Sequence, residues 1–203
     1  MKQILSTEGL VLHKDPSGEH YWRYTLFSKE YGKLLSLQRA TKKSNTHTTP
    51  DLFDLGEFEI EVPGQGSATF IREFKLHHRF SNIGKSYHRL QCASRFAHTV
   101  SQNLQHAEHF DKIYSLCCKT FKALEDAPHP DATLIKSFYI FAKDEGYPIK
   151  EDWYTHLPPF LQHDATMIIK TPLVDLQLSP AEINNVLENL CIWLQSHTDI
   201  DMG

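Results

Sequence analysis

The side chains of this chain whose type and spacing could do chemistry are its histidines, its cysteines and its clustered cations. Thirteen histidines invite a metal or general-base reading. His106 and His109 are three apart on an expected helix and could share a metal ion, yet no acid or cysteine sits at a ligand spacing to complete the set. His106-Ala107-Glu108 lacks the Pro-Cys-x-x-Cys partner that holds zinc in the nucleobase deaminases. Cys117 and Cys118 fall on an expected helix, where one of the two is core material rather than a nucleophile. Gly64-Gln65-Gly66 has the form of a hairpin turn and not of a phosphate-cradling loop, and no Gly-x-Ser-x-Gly or His-Glu-x-x-His occurs. The residues therefore predict no enzyme, no catalytic residue, no metal site and no cofactor.

The cations are a different matter. Over the whole chain Lys and Arg number 21 against 25 Asp and Glu, for a net charge of -4, which by itself argues against a nucleic-acid binder. The average conceals a segregation. Through residue 99 there are 14 cations and 10 acids, whereas from residue 100 onward there are 7 and 15, and all six arginines lie at or before Arg95. Arg23, Lys29, Lys33, Arg39, Lys42 and Lys43 face the single acid Glu30 across 21 residues. Arg72, Lys75, Arg79, Lys85, Arg89 and Arg95 form a second block opposed only by Glu73, and an acidic segment from Asp51 to Glu61 separates the two. Screening acts over about 10 Å at 0.1 M salt, so local blocks and not the net charge govern an encounter with a polyanion.

These side chains need a scaffold, and two periods supply it. Up to about residue 78 the pattern is strand-like: a short strand closed by Leu10 and Leu12, a turn at Asp15-Pro16-Ser17-Gly18, then Tyr21 to Ser28, Lys33 to Arg39, Glu57 to Val62 and Ala68 to Leu76. In Glu57-Phe58-Glu59-Ile60-Glu61-Val62 carboxylates alternate with apolar residues, which predicts one wet and one buried face. Five short strands with one long polar loop from Thr41 to Pro50 suit a closed barrel of the OB type. On such a barrel single strands cross strands two and three, where the first basic block falls, interleaved with Tyr21, Trp22, Tyr24, Phe27 and Tyr31. Cations there can neutralise phosphates and exposed rings can stack on bases, although Trp22, Tyr24 and Leu26 form one alternate set that could instead fill the barrel. The nucleic-acid-binding residues expected are Arg23, Lys29, Lys33, Arg39, Lys42, Lys43, Arg72 and Lys75.

After about residue 82 the period becomes helical. Leu90, Ala93, Ala97, Val100, Leu104 and Ala107 make one stripe, and Phe110, Ile113, Cys117, Phe121 and Leu124 a second, ended by Pro128-His129-Pro130. A third helix is expected from an Asp131 N-cap to Gly146, and a last one after the capping box Ser179-Pro180-Ala181-Glu182. Residues 150 to 178 carry two proline breaks and no clear period. The fold class expected is α+β, with residues 1–80 an OB-fold DNA-binding domain and 81–203 a helical C-terminal domain. At 203 residues such a chain buries roughly 70% of its unfolded surface without staples. The start has no apolar leader region, no apolar run of about 18 residues occurs, and the four cysteines form no framework, so a cytoplasmic protein with reduced thiols and no membrane partner is expected.

Several stretches together resemble a known family. Glu8-Gly9-Leu10-Val11-Leu12, Ser17-Gly18-Glu19, Leu26 through Leu34 (LFSKEYGKL) and Arg39-Ala40-Thr41-Lys42-Lys43-Ser44 look like the N-terminal OB domain of the RecO family of bacterial recombination mediators. Glu145-Gly146-Tyr147-Pro148 is similar to the family's Gly-Tyr-x-Pro stretch, and Leu178-Ser179-Pro180 to the start of its closing helix. The resemblance implies a non-enzymatic DNA repair protein of the RecF pathway. Such a protein binds single- and double-stranded DNA, anneals complementary strands, contacts the C-terminal tail of single-stranded DNA-binding protein, and works with RecR to load RecA. It also implies that Lys29, Lys33, Arg39, Lys42 and Lys43 belong to the DNA-contacting stretch. Three departures are visible: Ala40-Thr41 stands where the family usually has a glycine, the second half is acidic, and 149–178 contains no cysteine, so the four-cysteine zinc site of many members is absent. These departures favour a competing expectation, an OB-fold protein-interaction module that has lost most DNA binding. An oligosaccharide binder would show exposed aromatics without the lysine clustering.

Overall fold

The computed structural model describes residues 3–40, 49–64, 68–105, 107 and 109–203. It divides into two compact units, Met1–Phe80 and Ser81–Gly203. The first contains β1 (Gln3–Ser17), β2 (Tyr21–Ser28), β3 (Gly32–Arg39), β4 (Leu55–Val62) and β5 (Thr69–His78). They close into a barrel in the order β1-β2-β3-β5-β4, with β3 and β5 parallel and every other neighbour antiparallel. A five-stranded closed barrel followed by helices is the α+β, OB-type architecture that the turn spacing predicts.

One strand differs from expectation. β1 is long, and it continues through Pro16 where the sequence suggests a turn. Its first half, Gln3 to Leu10, pairs with β4, and its second half, Gly9 to Ser17, pairs with β2, so a single strand closes the barrel on both sides. Pro16 lies past the last β4 pairing, where no second ladder needs its missing N–H, and the chain turns only at Gly18, whose φ is +65°.

The barrel core is Val11, Tyr24, Leu26, Phe58, Ile60, Ile71 and Phe74, with Leu5, Trp22, Leu34 and Leu76 packed partly against it. Full burial of such side chains stabilises by about 1.5–3 kcal/mol each. Phe58 and Phe74 face each other across β4 and β5 with ring centroids 4.7 Å apart. The alternation expected in β4 fails at its last carboxylate: Glu57 and Glu59 are exposed but Glu61 is buried. The Arg72 guanidinium on β5 holds it there, which compensates the cost of desolvating a charge.

The second unit holds α1 (Tyr87–Asn103), α2 (Phe110–Asp126), α3 (Pro130–Asp144), α4 (Ile149–Asp152), α5 (Pro159–Lys170) and α6 (Pro180–His197). Phe96 of α1 sits in the centre, 6.2 Å from the Phe121 ring of α2 and 6.0 Å from the Phe138 ring of α3. The first stripe is shorter than its periodicity suggests. α1 stops at Asn103, whose amide instead ties down the C-terminal tail by donating to the Asp201 carbonyl at 2.8 Å and accepting its N–H at 3.0 Å. α3 also differs in its cap. His129 is the N-cap and Pro130 the first helical residue, so Asp131 lies inside the first turn and its carboxylate faces α1. The capping box of α6 forms as expected, Ser179 and Glu182 exchanging their side-chain to backbone hydrogen bonds. Between Lys150 and Leu178, prolines at 158, 159 and 172 break the chain into α4, α5 and single 3-10 turns, too short to show a period.

Candidate nucleic-acid interface

On a barrel strand, alternate residues face in and out, and the β2–β3 register sorts the first basic block. Tyr24 and Leu26 point inward and are buried, so for these two the core-filling reading holds. The Tyr24 hydroxyl has the Pro50 carbonyl (3.2 Å) and Gln38 Oε1 (3.3 Å) within reach of its single proton, and burial, then Asp51 and Asp54, push its pKa well up. Trp22 is half-buried beneath Lys14, whose Nζ lies 5.1 Å from its ring and 3.1 Å from Asp51 Oδ1. Lys14 is thereby half-buried against the barrel and paired with Asp51.

The opposite alternate set carries the exposed cations. Tyr21 pairs with Arg39 and Arg23 with Leu37, and Phe27 stands opposite Lys33. Leu37 in turn pairs with Phe70 of β5, whose ring meets Tyr21 edge-on at 6.2 Å. One outer face thus joins Tyr21, Arg23, Arg39, Leu35 and Phe70, with Tyr21 and Leu35 exposed. At the far end of the hairpin, Lys29 and Tyr31 are exposed on a tight turn. Ser28 Oγ accepts the Glu30 and Tyr31 N–H groups (3.2 and 3.0 Å), Lys29 N–H donates to the Glu8 carbonyl (3.2 Å), and Gly32 adopts φ +67°. Glu30, the single acid of the block, accepts from the Thr7 hydroxyl. Lys33 is half-buried at the start of β3. From Lys33 to Arg39 the strand spans about 20 Å, which is about six phosphate spacings of a duplex strand.

The eight cations expected from sequence are not equivalent. Among the described residues, no ion pair engages Lys29 or Arg39, and both are exposed. Arg23 lies 3.7 Å from Asp15, a half-exposed pair that competes little with a phosphate. Lys75 reaches Glu57 Oε2 at 3.2 Å across the β4–β5 ladder, also exposed, and His77 stands 3.6 Å from both Glu8 and Glu57. Arg72 is held by buried Glu61. Lys42 and Lys43 lie outside the described residues, as do His106 and Glu108.

The second basic block disperses in the fold. Arg79 forks onto Asp54, with Nε to Oδ1 at 2.8 Å and a terminal nitrogen to Oδ2 at 2.6 Å, and it reaches the Thr49 carbonyl at 3.2 Å. Asp54 is fully buried and also accepts the Asp51 N–H at 2.8 Å, so this pair fixes the turn that leads into β4. In the helical unit, Arg89 donates to the Glu125 and Ala127 carbonyls, and Arg95 meets Cys191 Sγ at 3.0 Å and lies 5.9 Å from the Phe138 ring centroid. These three arginines are structural, which sequence spacing alone could not reveal because their partners are 25 to 96 residues away.

No family model matches the chain. The DNA repair protein RecO of Thermoanaerobacter sp. (strain X514) is 25% identical over 138 residues, which cover 67% of this chain and 55% of the relative. The RecO of Caldanaerobacter subterraneus subsp. tengcongensis is 26% identical over 125 residues, covering 61% and 50%. The chain is related to the RecO family. It spans about half the length of the curated relatives it matches. The RecO relationship agrees with the barrel-then-helices order. Among the described residues, no helix is long and apolar enough to cross a membrane.

Proposed function

We propose that this chain is a DNA-binding recombination mediator of the RecF pathway that acts in the cytoplasm without catalysing bond chemistry. In this reading the outer β2–β3 face and the basic residues Lys42 and Lys43 hold single- and double-stranded DNA. Arg23, Lys29, Lys33, Arg39, Lys42 and Lys43 neutralise phosphates while Tyr21 and Tyr31 offer ring faces to bases, and Arg72 and Lys75 extend the cationic edge on β5. RecR and the tail of single-stranded DNA-binding protein are the expected protein partners, met through the helical unit, and annealing and RecA loading the expected outcomes. The observation that carries the proposal is that Arg39 and Lys29, exposed at the two ends of the β2–β3 pair, have no described acid to hold them.

The function is tested by annealing of complementary labelled oligonucleotides, comparing the wild-type chain with a Lys42→Ala, Lys43→Ala variant. Faster annealing that the variant loses supports the reading, and equal rates with or without protein refute it. A second reading, a protein-interaction module on the same fold, is favoured by the ion pairs that occupy Arg72 and Lys75 and by the 15 acids against 7 cations after residue 100. Capture of RecR or of the tail peptide by a chain that binds no oligonucleotide at low salt would select it.

A further inference from the structure

In the helical unit, α1 and the first turn of α3 bring together three metal-ligating groups that neither the basic face nor the RecO relationship uses. His88 and Cys92 are four apart on α1 and share a face. Asp131 faces them from α3: its Oδ2 lies 2.8 Å from His88 Nε2, and its Oδ1 accepts the Cys92 thiol at 3.3 Å. One nitrogen, one sulfur and one carboxylate oxygen thus lie within 4.8 Å of one another. Cys92 is 3% exposed while His88 is open to solvent, so the cluster is closed on the helix side and accessible on the other.

The arrangement does not suit a thiol nucleophile. A nucleophilic thiol is one whose thiolate is favoured, whereas here burial and the Asp131 carboxylate that accepts its hydrogen bond push it well above the usual thiol range. It does suit a cation. Zinc takes nitrogen, thiolate and carboxylate ligands at about 2.0–2.3 Å in a tetrahedron, which puts neighbouring ligand atoms about 3.3–3.7 Å apart. A divalent ion would replace the thiol proton and balance the two anionic ligands. Arg95, the cation whose charge Cys92 feels, is turned to Cys191 and Phe138.

We propose that His88 Nε2, Cys92 Sγ and the Asp131 carboxylate bind one divalent cation of the zinc class, with water as fourth ligand, clamping the start of α1 to the start of α3. The site precedes 149–178, where many RecO-family members carry their zinc cysteines, and uses a different ligand set.

The test titrates the full chain, stripped with chelator, with cobalt(II). One equivalent should raise a thiolate-to-cobalt charge-transfer band and the visible bands of four-coordinate cobalt, and zinc should bleach both. Cys92→Ser should abolish the charge-transfer band. His88→Gln, at an exposed position that leaves the core intact, and Asp131→Asn should weaken affinity by roughly tenfold or more, since even outer-shell changes cost about 10–100-fold. Cys118→Ser, the partly exposed thiol elsewhere, should leave the spectrum unchanged. Circular dichroism checks that each variant is folded. Absence of a thiolate band at one equivalent, a band that survives His88→Gln at full affinity, or one that Cys118→Ser removes would overturn the proposal.

Discussion

Replacing Arg79 with alanine strands the Asp54 carboxylate inside the barrel wall. Asp54 is fully buried, and its two oxygens take the Arg79 fork at 2.8 and 2.6 Å, with one more bond from the Asp51 N–H. Removing one partner of a buried pair costs about 3–5 kcal/mol because the other charge is left uncompensated. The Arg79 side chain is 41% exposed, so water can reach the space it vacates, and the lower end, about 3 kcal/mol, is the reasoned figure. At about 1.4 kcal/mol per tenfold, the most protected amides of β1 and β4 should exchange about a hundredfold faster in Arg79→Ala. Phe53, held at φ +63° with its N–H on the Val11 carbonyl (2.9 Å), belongs to the same turn and should lose protection first. Hydrogen exchange read peptide by peptide reports the barrel separately from the helices, and Arg39→Ala is the surface control, expected within about 0.5 kcal/mol of wild type. Wild-type exchange rates in Arg79→Ala would refute the structural role assigned to this arginine.

Gly56→Ala should destabilise the barrel by about 1–3 kcal/mol, because an added Cβ would collide with the Lys75 carbonyl and the Phe74 ring; a melting temperature within a degree or so of wild type would contradict it. The Glu182 carboxyl is held below the usual carboxylate range by the Ser179 hydroxyl and N–H, so it contributes stability above the ordinary value of about 4.3 that is lost as pH falls through its lower folded value. Protection of the first turn of α6, corrected for intrinsic exchange, should therefore decline in acid for the wild-type chain and be independent of pH over that range in Glu182→Gln. Identical profiles for the two would remove the claim.

Much of the fold was legible because the relevant signals are local. β2 is found where the aromatic run places it, the α6 capping box sits within four residues, and the period change marks where strands give way to helices. What failed was decided by distant partners. β1 runs through Pro16 because the β4 ladder has already ended there, and Glu61 is buried because Arg72 meets it across the ladder. Asp131 yields the cap to His129 because Pro130 suits the first helical position, and its carboxylate turns to Cys92 and His88. For the basic face, sequence could count cations but not sort them. Arg79 and Arg72 read the same as Arg39 along the chain, and only the register and the buried acids separate the two arginines that already hold a carboxylate from Arg39. The His88, Cys92 and Asp131 cluster escaped for the same reason, since its third member lies 39 residues from the second.

The most direct test of DNA binding by the β2–β3 face is the salt dependence of affinity for a labelled single-stranded oligonucleotide, read by anisotropy at several salt concentrations. Each phosphate contact to a single strand contributes about -0.7 to the slope of log K against log salt. Lys29→Ala with Arg39→Ala should therefore make the slope shallower by about 1.4, while Lys75→Ala, already paired with Glu57, should change it less. Absence of binding at low salt, or a slope that the double variant leaves unchanged, would contradict the assignment of this face to DNA.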